Sequence, residues 1–256
     1  MFTIKINNLN KTYLDREKGS LEVFKNLNLS VSFRQFLTIF GPNGSGKTTL
    51  LKIIAGLVNY DSGKIKIEGN NIKNIKAGYI FQNYKQSLFP WRTNLDNIAF
   101  PLEIRGVKRK KSREMVLSFL EKFGIDLPLY SYPYQVSGGQ KQLVAIARAL
   151  IYQPHILLMD EPFGSLDYEN RIFMQEKILE IWRKSKLTII FVSHGIEEAI
   201  YLADRTIIFS KKPSLPIVKD IAISLPRPRQ QKLKGSLAFA NLIKEVSQNF
   251  RYAIKS

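Results

Sequence analysis

Gly41-Pro42-Asn43-Gly44-Ser45-Gly46-Lys47-Thr48 fits the pattern G-x-x-x-x-G-K-[ST] of a phosphate-binding loop. Three glycines let the backbone turn tightly and bring its N–H groups against phosphate oxygens. Lys47 adds a point charge for the β and γ phosphates. Thr48 offers a hydroxyl to Mg²⁺, a hard cation that prefers oxygen ligands. Both flanks suit the motif. Phe36-Leu37-Thr38-Ile39-Phe40 reads as a buried strand and Lys47 to Leu57 as a helix, with Leu50, Leu51, Ile54 and Leu57 on one face. The loop therefore runs into a helix N-terminus, which favours an anion.

The rest of the chain narrows the class. Its 256 residues are 45% apolar, ordinary for a globular protein. No apolar run reaches the length of a membrane span. Cys is absent and only His155 and His194 occur, which excludes disulfides and thiolate metal sites and argues against a histidine-rich one. Met1 to Asn10 alternates like a strand and shows no signal-peptide pattern, so a cytosolic location is expected. The balance of 39 Lys+Arg against 21 Asp+Glu, net +18, would draw the chain to nucleic acid or anionic headgroups, or reflects an overall compositional bias. The densest basic cluster, Arg105 to Arg113, has no interleaved aromatic residue and reads as a solvated loop and helix start.

Going outward from the loop, Phe2 to Ile6 and Leu27 to Val31 alternate as half-buried strands, with Lys11-Thr12-Tyr13 and a polar turn around Gly19 between them. Spacing alone makes Tyr13 a core aromatic rather than a platform for a nucleotide base. Gly63 to Gly69 and Ala77 to Phe81 read as strands, the second ending in Gln82, at the edge where ligands collect in parallel sheets. Ser87 to Thr93 is an apolar loop, where Phe89 and Trp91 either pack inward or form a contact surface. Lys108 to Gly124 is helical, with Val116, Phe119, Leu120 and Phe123 in one stripe. Ser137-Gly138-Gly139-Gln140 opens another helix, with Ser137 as its N-cap and Leu143, Ala147, Leu150 and Ile151 buried.

Ile156 to Met159 is a continuous apolar strand ending in Asp160 and Glu161. In a P-loop protein the first carboxylate holds Mg²⁺ and the second polarises a water. Gly164 to Asp167 turns into a helix ending near Lys184. Leu187 to Val192 and Thr206 to Ser210 are further strands. His194, after the first of these, is either a structural histidine or a γ-phosphate donor. Residues 211 onward read as a tail, with Leu225-Pro226-Arg227-Pro228-Arg229 irregular and an amphipathic helix from Ser236 to about Arg251.

The ordered set of motifs resembles the nucleotide-binding subunit of an ATP-binding cassette (ABC) transporter. After the P-loop come the Q-loop at Gln82, the signature Val136-Ser137-Gly138-Gly139-Gln140, the Walker B strand ending Asp160-Glu161, the D-loop Ser165-Leu166-Asp167 and the switch histidine His194. The resemblance covers about Phe2 to Ser210. It implies an α/β fold, a P-loop NTPase ABC cassette with a RecA-like core, an antiparallel β subdomain and a helical subdomain inserted at about residues 88–153. Residues 1–210 would be the ATPase domain and 211–256 a short extension.

It further implies ATP and Mg²⁺ as cofactors. Tyr13 would stack on adenine. Gly41, Pro42, Asn43, Gly44, Ser45, Gly46, Lys47, Thr48 and Thr49 would hold the phosphates. Ser137, Gly138, Gly139, Gln140 and Asp167 would complete the site of a second ATPase subunit in a head-to-tail dimer. Glu161, His194, Lys47 and Gln82 would be catalytic, and Thr48, Gln82 and Asp160 would serve the metal. Phe81-Gln82-Asn83, Leu88 to Thr93, Leu95-Asp96-Asn97-Ile98 and Leu225 to Arg229 resemble the importer ATPases for nitrate, sulfonate and taurine. A permease would dock near Gln82 to Thr93, a solute-binding protein would act indirectly, and the chain would sit on the cytoplasmic face of the membrane with no nucleic-acid partner. The sequence departs from the family at Val136 (usually Leu), Leu143 (usually Arg) and Gly195 (usually Asp). The competing classes are a soluble ABC ATPase acting on nucleic acid or the ribosome, and a P-loop kinase.

Overall fold

The structure, a computed structural model, describes residues 2–15, 19–67, 70–71, 76–185 and 187–255. These fall into two compact units, one of Met1–Ile75 with Thr188–Ser256 and one of Lys76–Leu187.

The first unit contains an antiparallel sheet in the order β2-β1-β4-β5, from β1 (Phe2–Asp15), β2 (Gly19–Ser32), β4 (Ser62–Ile67) and β5 (Asn70–Asn71). Two short strands were expected where β1 and β2 form one long hairpin, and Lys11, Thr12 and Tyr13 lie inside it. The reason is irregular register. The pairing shifts between Ile6 and Leu9 and again before Lys11, with Asn8 and Asn26 at φ 49° and 55°, so the two-residue alternation breaks. Asn side chains satisfy the displaced backbone: Asn8 N–H donates to Asn28 Oδ1 and Asn26 N–H to Asn10 Oδ1, both at 2.9 Å. Glu68 and Gly69, the end of the expected Gly63–Gly69 strand, lie outside the described residues.

The same unit holds β3 (Phe36–Phe40), flanked by parallel β8 (Thr188–Ser193) and β9 (Arg205–Phe209), with β10 (Ile217–Ala222) antiparallel to β9. Every residue of β3 and β8 is buried, as continuous apolar runs in a parallel sheet require. Helix α1 (Lys47–Ile54) follows β3, α7 (Ile196–Leu202) follows β8, and α8 (Leu237–Lys255) ends the chain. Helix α1 is shorter than expected. Gly56, at φ 72°, ends the turn that follows it, Leu57 is 56% exposed, and Ile53 joins Leu50, Leu51 and Ile54 in the core. Residues 211–256 are more than a tail, since β10 pairs with β9 and Phe250 of α8 packs on Phe40 at 4.7 Å. Ser236 Oγ caps α8 by accepting from Phe239 N–H.

In the second unit β6 (Ala77–Ile80) pairs in parallel with β7 (Ile156–Asp160), Tyr79 opposite Leu158. Around them lie α2 (Tyr84–Ser87), α3 (Asn94–Ile104), α4 (Arg109–Phe123), α5 (Gly138–Leu150) and α6 (Tyr168–Lys184). A Cβ at Gly78 would stand 2.7 Å from the Ala149 carbonyl, so glycine lets α5 lie against β6. Helix α4 buries Val116, Leu120 and Phe123 of the expected stripe, leaves Phe119 half-buried, and ends at Gly124 in the left-handed region. The basic cluster is more structured than a solvated run. Arg109 and Arg113 both bind Asp96 in the first turn of α3 at 2.8 Å. Arg105 lies over the Tyr152 ring.

Candidate nucleotide site

The P-loop is built by the first unit. A Cβ on Gly41 would lie 2.7 Å from the Phe209 carbonyl, and one on Gly46 would lie 2.7 Å from the Phe24 ring and from Val23 Cγ1. Strands β9 and β2 therefore close the loop from beneath, and glycine is the residue that fits. Asn43 and Gly44 face outward, Gly41 and Pro42 are buried, and Thr48 and Thr49 are half-buried. Lys47 is 5% exposed, and its Nζ donates to the carbonyls of Gly41 and Pro42, each at 2.9 Å. The ammonium is thereby turned into the loop. Ser45 Oγ is buried without a hydrogen-bond partner among the described residues. An orphan hydroxyl, a folded-in cation and a helix N-terminus with no acid in its first turn together form an anion cradle that suits the phosphates of a nucleotide.

Tyr13 departs from the expectation of spacing alone. It is 37% exposed, with the Lys11 ammonium 4.7 Å from its ring centroid and exposed Leu21 opposite it across the hairpin. It is an accessible aromatic face rather than a core residue. His194 is exposed just after β8. Its turn is pinned by Ser193 Oγ, which accepts from Gly195 N–H at 3.0 Å and donates to Glu198 at 2.6 Å.

The second unit carries the acids and the signature. Asp160 ends β7 almost fully buried, and Tyr79 Oη donates to its Oδ2 at 3.2 Å. Burial, and then Asp160, push the Tyr79 phenol far up, so it remains a donor. Glu161 takes φ 48°, a left-handed conformation costly for a side chain with a Cβ. Its Oε2 accepts from Gln82 Nε2 at 3.1 Å, so the Q-loop and the second acid are joined directly.

Ser137 caps α5 in a reciprocal box: Gln140 N–H donates to Ser137 Oγ at 3.2 Å and Ser137 N–H to Gln140 Oε1 at 3.0 Å. Gly139 packs against Asn170, where a Cβ would lie 2.9 Å from Oδ1. Asn170 is held in turn by both oxygens of Asp167, and its backbone and side-chain hydrogen bonds hold the Asp167 carboxyl below the usual range. Leu143, where the family usually has Arg, is buried, as its place on the apolar face of the helix implies.

The expected residues therefore gather as two sets: Tyr13, Gly41 to Thr49 and His194 on the first unit, and Gln82, Ser137 to Gln140, Asp160, Glu161 and Asp167 on the second. Sequence reading missed the ties that hold the second set. Gln142 Nε2 donates to the Pro162 carbonyl at 2.7 Å, Tyr84 Oη to the Gly138 carbonyl at 3.2 Å, and Arg148 to Ser87 O at 2.7 Å. A polar residue on the buried face of a helix, as at Gln142, was the available signal. Trp91 is 72% exposed, and Phe89 is half-buried against Phe100.

A family model described as "ABC transporter" matches residues 24–164, over half the chain. The chain belongs to the ABC transporter family. This cassette is 44% identical over 252 residues to the aliphatic sulfonates import ATP-binding protein SsuB of Bacillus cereus, covering 98% of this chain and 96% of that one. It is 36% identical to the nitrate import ATP-binding protein NrtD of Synechocystis, covering 97% and 95%. Among solved structures it superposes on MJ0796, a dimeric bacterial ABC transporter cassette, with a TM-score of 0.74 and 29% identity over 87% of this chain and all of that one. The α/β fold with its antiparallel β sheet and helical elements is therefore that of an ABC ATPase.

Proposed function

We propose that this cassette is the ATP-hydrolysing subunit of a membrane importer for a small solute of the sulfonate or nitrate kind, and that it works as a dimer. The observation that carries the reading is the P-loop cradle, with Lys47 folded inward and Ser45 Oγ left for a phosphate oxygen. The import assignment is supported by relatedness along nearly the whole chain to import ATP-binding proteins. The dimer is supported by the likeness to a dimeric cassette.

ATP is held by Gly41 to Thr49, with Tyr13 offering its open face to the base. Thr48, Gln82 and Asp160 are assigned to Mg²⁺. Among the described residues no group of three His, Cys, Asp or Glu could hold a metal by itself. Mg²⁺ prefers oxygen ligands and keeps several waters, so the Asp160 carboxylate, the Thr48 hydroxyl and the Gln82 amide would be the residues to hold it. When bound, it neutralises charge on the phosphates.

Glu161 orients the attacking water, Lys47 stabilises charge that develops on the phosphate, and His194 donates to the γ-phosphate. Ser137, Gly138, Gly139, Gln140 and Asp167 complete the partner copy's site, so a symmetric pair completes two. We assign residues 1–210 to the ATPase domain, about 88–153 within it to its helical subdomain, and 211–256 to an extension.

No helix among the described residues is long and apolar enough to cross a membrane. We assign membrane association, on the cytoplasmic face, to a permease docked near Gln82 to Thr93, where Trp91 stands exposed; a solute-binding protein acts on that permease. Glu161→Gln tests the reading. Hydrolysis should fall by about 10²-fold or more while ATP binding survives. Near-normal turnover would remove Glu161 from its role.

A further inference from the structure

Two consecutive acids leave β7, and each is met by a side chain from β6 and its exit. Gln82 bonds Glu161, and Tyr79, three residues earlier, bonds Asp160. The second contact belongs to no role assigned above. Its geometry is constrained from several directions. Tyr79 sits opposite Leu158 in the parallel pairing, two residues before Asp160. Its ring lies 4.4 Å from that of Phe81. Gly78 beside it lets α5 lie close to the strand, since a Cβ there would stand 2.7 Å from the Ala149 carbonyl. The phenol is thus delivered to Asp160 Oδ2 by a rigid element rather than by a loop.

We propose that Tyr79 is a positioning residue for the metal step: its hydroxyl fixes the rotamer of Asp160 and so orients that carboxylate toward Mg²⁺. The proposal rests on the assignment of Asp160 to the metal. A carboxylate with one oxygen held by a neutral donor keeps its charge and loses rotational freedom, which is how outer partners of a metal ligand raise affinity. Gln82 and Tyr79 then form one device. Strand β6 holds the metal acid through Tyr79, and its exit toward the loop assigned to the permease holds the water-orienting acid through Gln82. A shift of β6 would disturb both carboxylates together.

The test is Tyr79→Phe, which removes one oxygen and keeps the ring and its contact with Phe81. Binding of a fluorescent N-methylanthraniloyl ATP is titrated with Mg²⁺, alongside the same titration in EDTA, for the wild type, Tyr79→Phe and Asp160→Asn, with thermal unfolding to confirm folding. The Mg²⁺ concentration for half-maximal effect should rise about tenfold in Tyr79→Phe, while affinity in EDTA stays at the wild-type value. Asp160→Asn should raise it further, and adding Tyr79→Phe to Asp160→Asn should change it little, because the two act through one carboxylate. An unchanged Mg²⁺ requirement in Tyr79→Phe, with Asp160→Asn impaired, overturns the role of Tyr79 alone. An unchanged requirement in Asp160→Asn overturns the metal assignment beneath it. Equal loss with and without Mg²⁺ in Tyr79→Phe means the hydroxyl serves only folding or the strand, and also overturns the proposal.

Discussion

Gly46→Ala asks whether the P-loop cradle is held by the packing beneath it. Gly46 caps α1 at φ 87°, a region that costs a residue with a Cβ about 1–2 kcal/mol. The new methyl would lie 2.7 Å from two Phe24 ring carbons and from Val23 Cγ1. Phe24 cannot turn aside cheaply, because it is fully buried and meets Phe209 edge-on at 6.1 Å. Overpacking of this kind costs about 1–3 kcal/mol. The two terms give a loss of about 2–5 kcal/mol, roughly 5–15 °C in Tm. Gly44→Ala is the matched control. Gly44 is also in the left-handed region, at φ 80°, but nothing lies within 4 Å of its ideal Cβ, so it should show only the strain of about 1–2 kcal/mol. Differential scanning calorimetry reads the stability, and titration with fluorescent nucleotide reads the loop. Gly46→Ala should unfold earlier than Gly44→Ala and bind nucleotide more weakly. Equal losses, with nucleotide affinity kept, would refute the idea that β2 shapes the loop.

Substitutions at two further residues probe the supports of each unit. Asp96→Asn removes the charge shared by Arg109 and Arg113 and should cost about 1–3 kcal/mol in urea unfolding. Burial raises the Asp96 pKa, but the hydrogen bonds and charges of Arg113 and Arg109 outweigh it and hold the carboxyl below its ordinary 3.8. Its stabilisation is therefore present above that value and lost as pH falls through the depressed one, and the acid limb of stability should flatten in Asp96→Asn. Arg229, 7% exposed, donates to the carbonyls of Ile200 and Tyr201 at the end of α7. Arg229→Ala should cost about 2–3 kcal/mol by leaving those carbonyls unsatisfied, and Arg229→Lys should recover only part of it in thermal melts, since one ammonium cannot reproduce both the Nη1 bonds to these carbonyls and the Nη2 bond to the Ile223 carbonyl.

The P-loop, the signature cap and the Walker B strand were legible because each is local. Glycines at fixed spacing, a serine N-cap and an unbroken apolar strand carry their geometry within a few residues. Tyr13 was misjudged by spacing because bulges at Asn8 and Asn26 change which face a strand residue takes. Leu57 was misplaced because Gly56 ends the turn after α1 before the apolar face can repeat. Strand β10, half-exposed at an edge with Lys219 and Asp220 in it, carries no buried apolar run to announce it. The bonds of Tyr79 to Asp160 and of Gln82 to Glu161 join residues about 80 apart, and no local pattern encodes such a meeting. The exposure of Trp91 beside half-buried Phe89 also needed the fold, since the sequence of that loop permits both to pack inward.

The ATP-bound state should hold a second cassette and a membrane subunit together. Tagged Glu161→Gln protein, captured with Mg-ATP from gently solubilised cells, should bring down a second ATPase copy and a polytopic membrane protein. The membrane protein should be lost when Phe89 and Trp91 are changed to Ala. Capture of nucleic acid or ribosomes with no membrane protein would contradict the importer assignment and the docking role of the Gln82 to Thr93 segment.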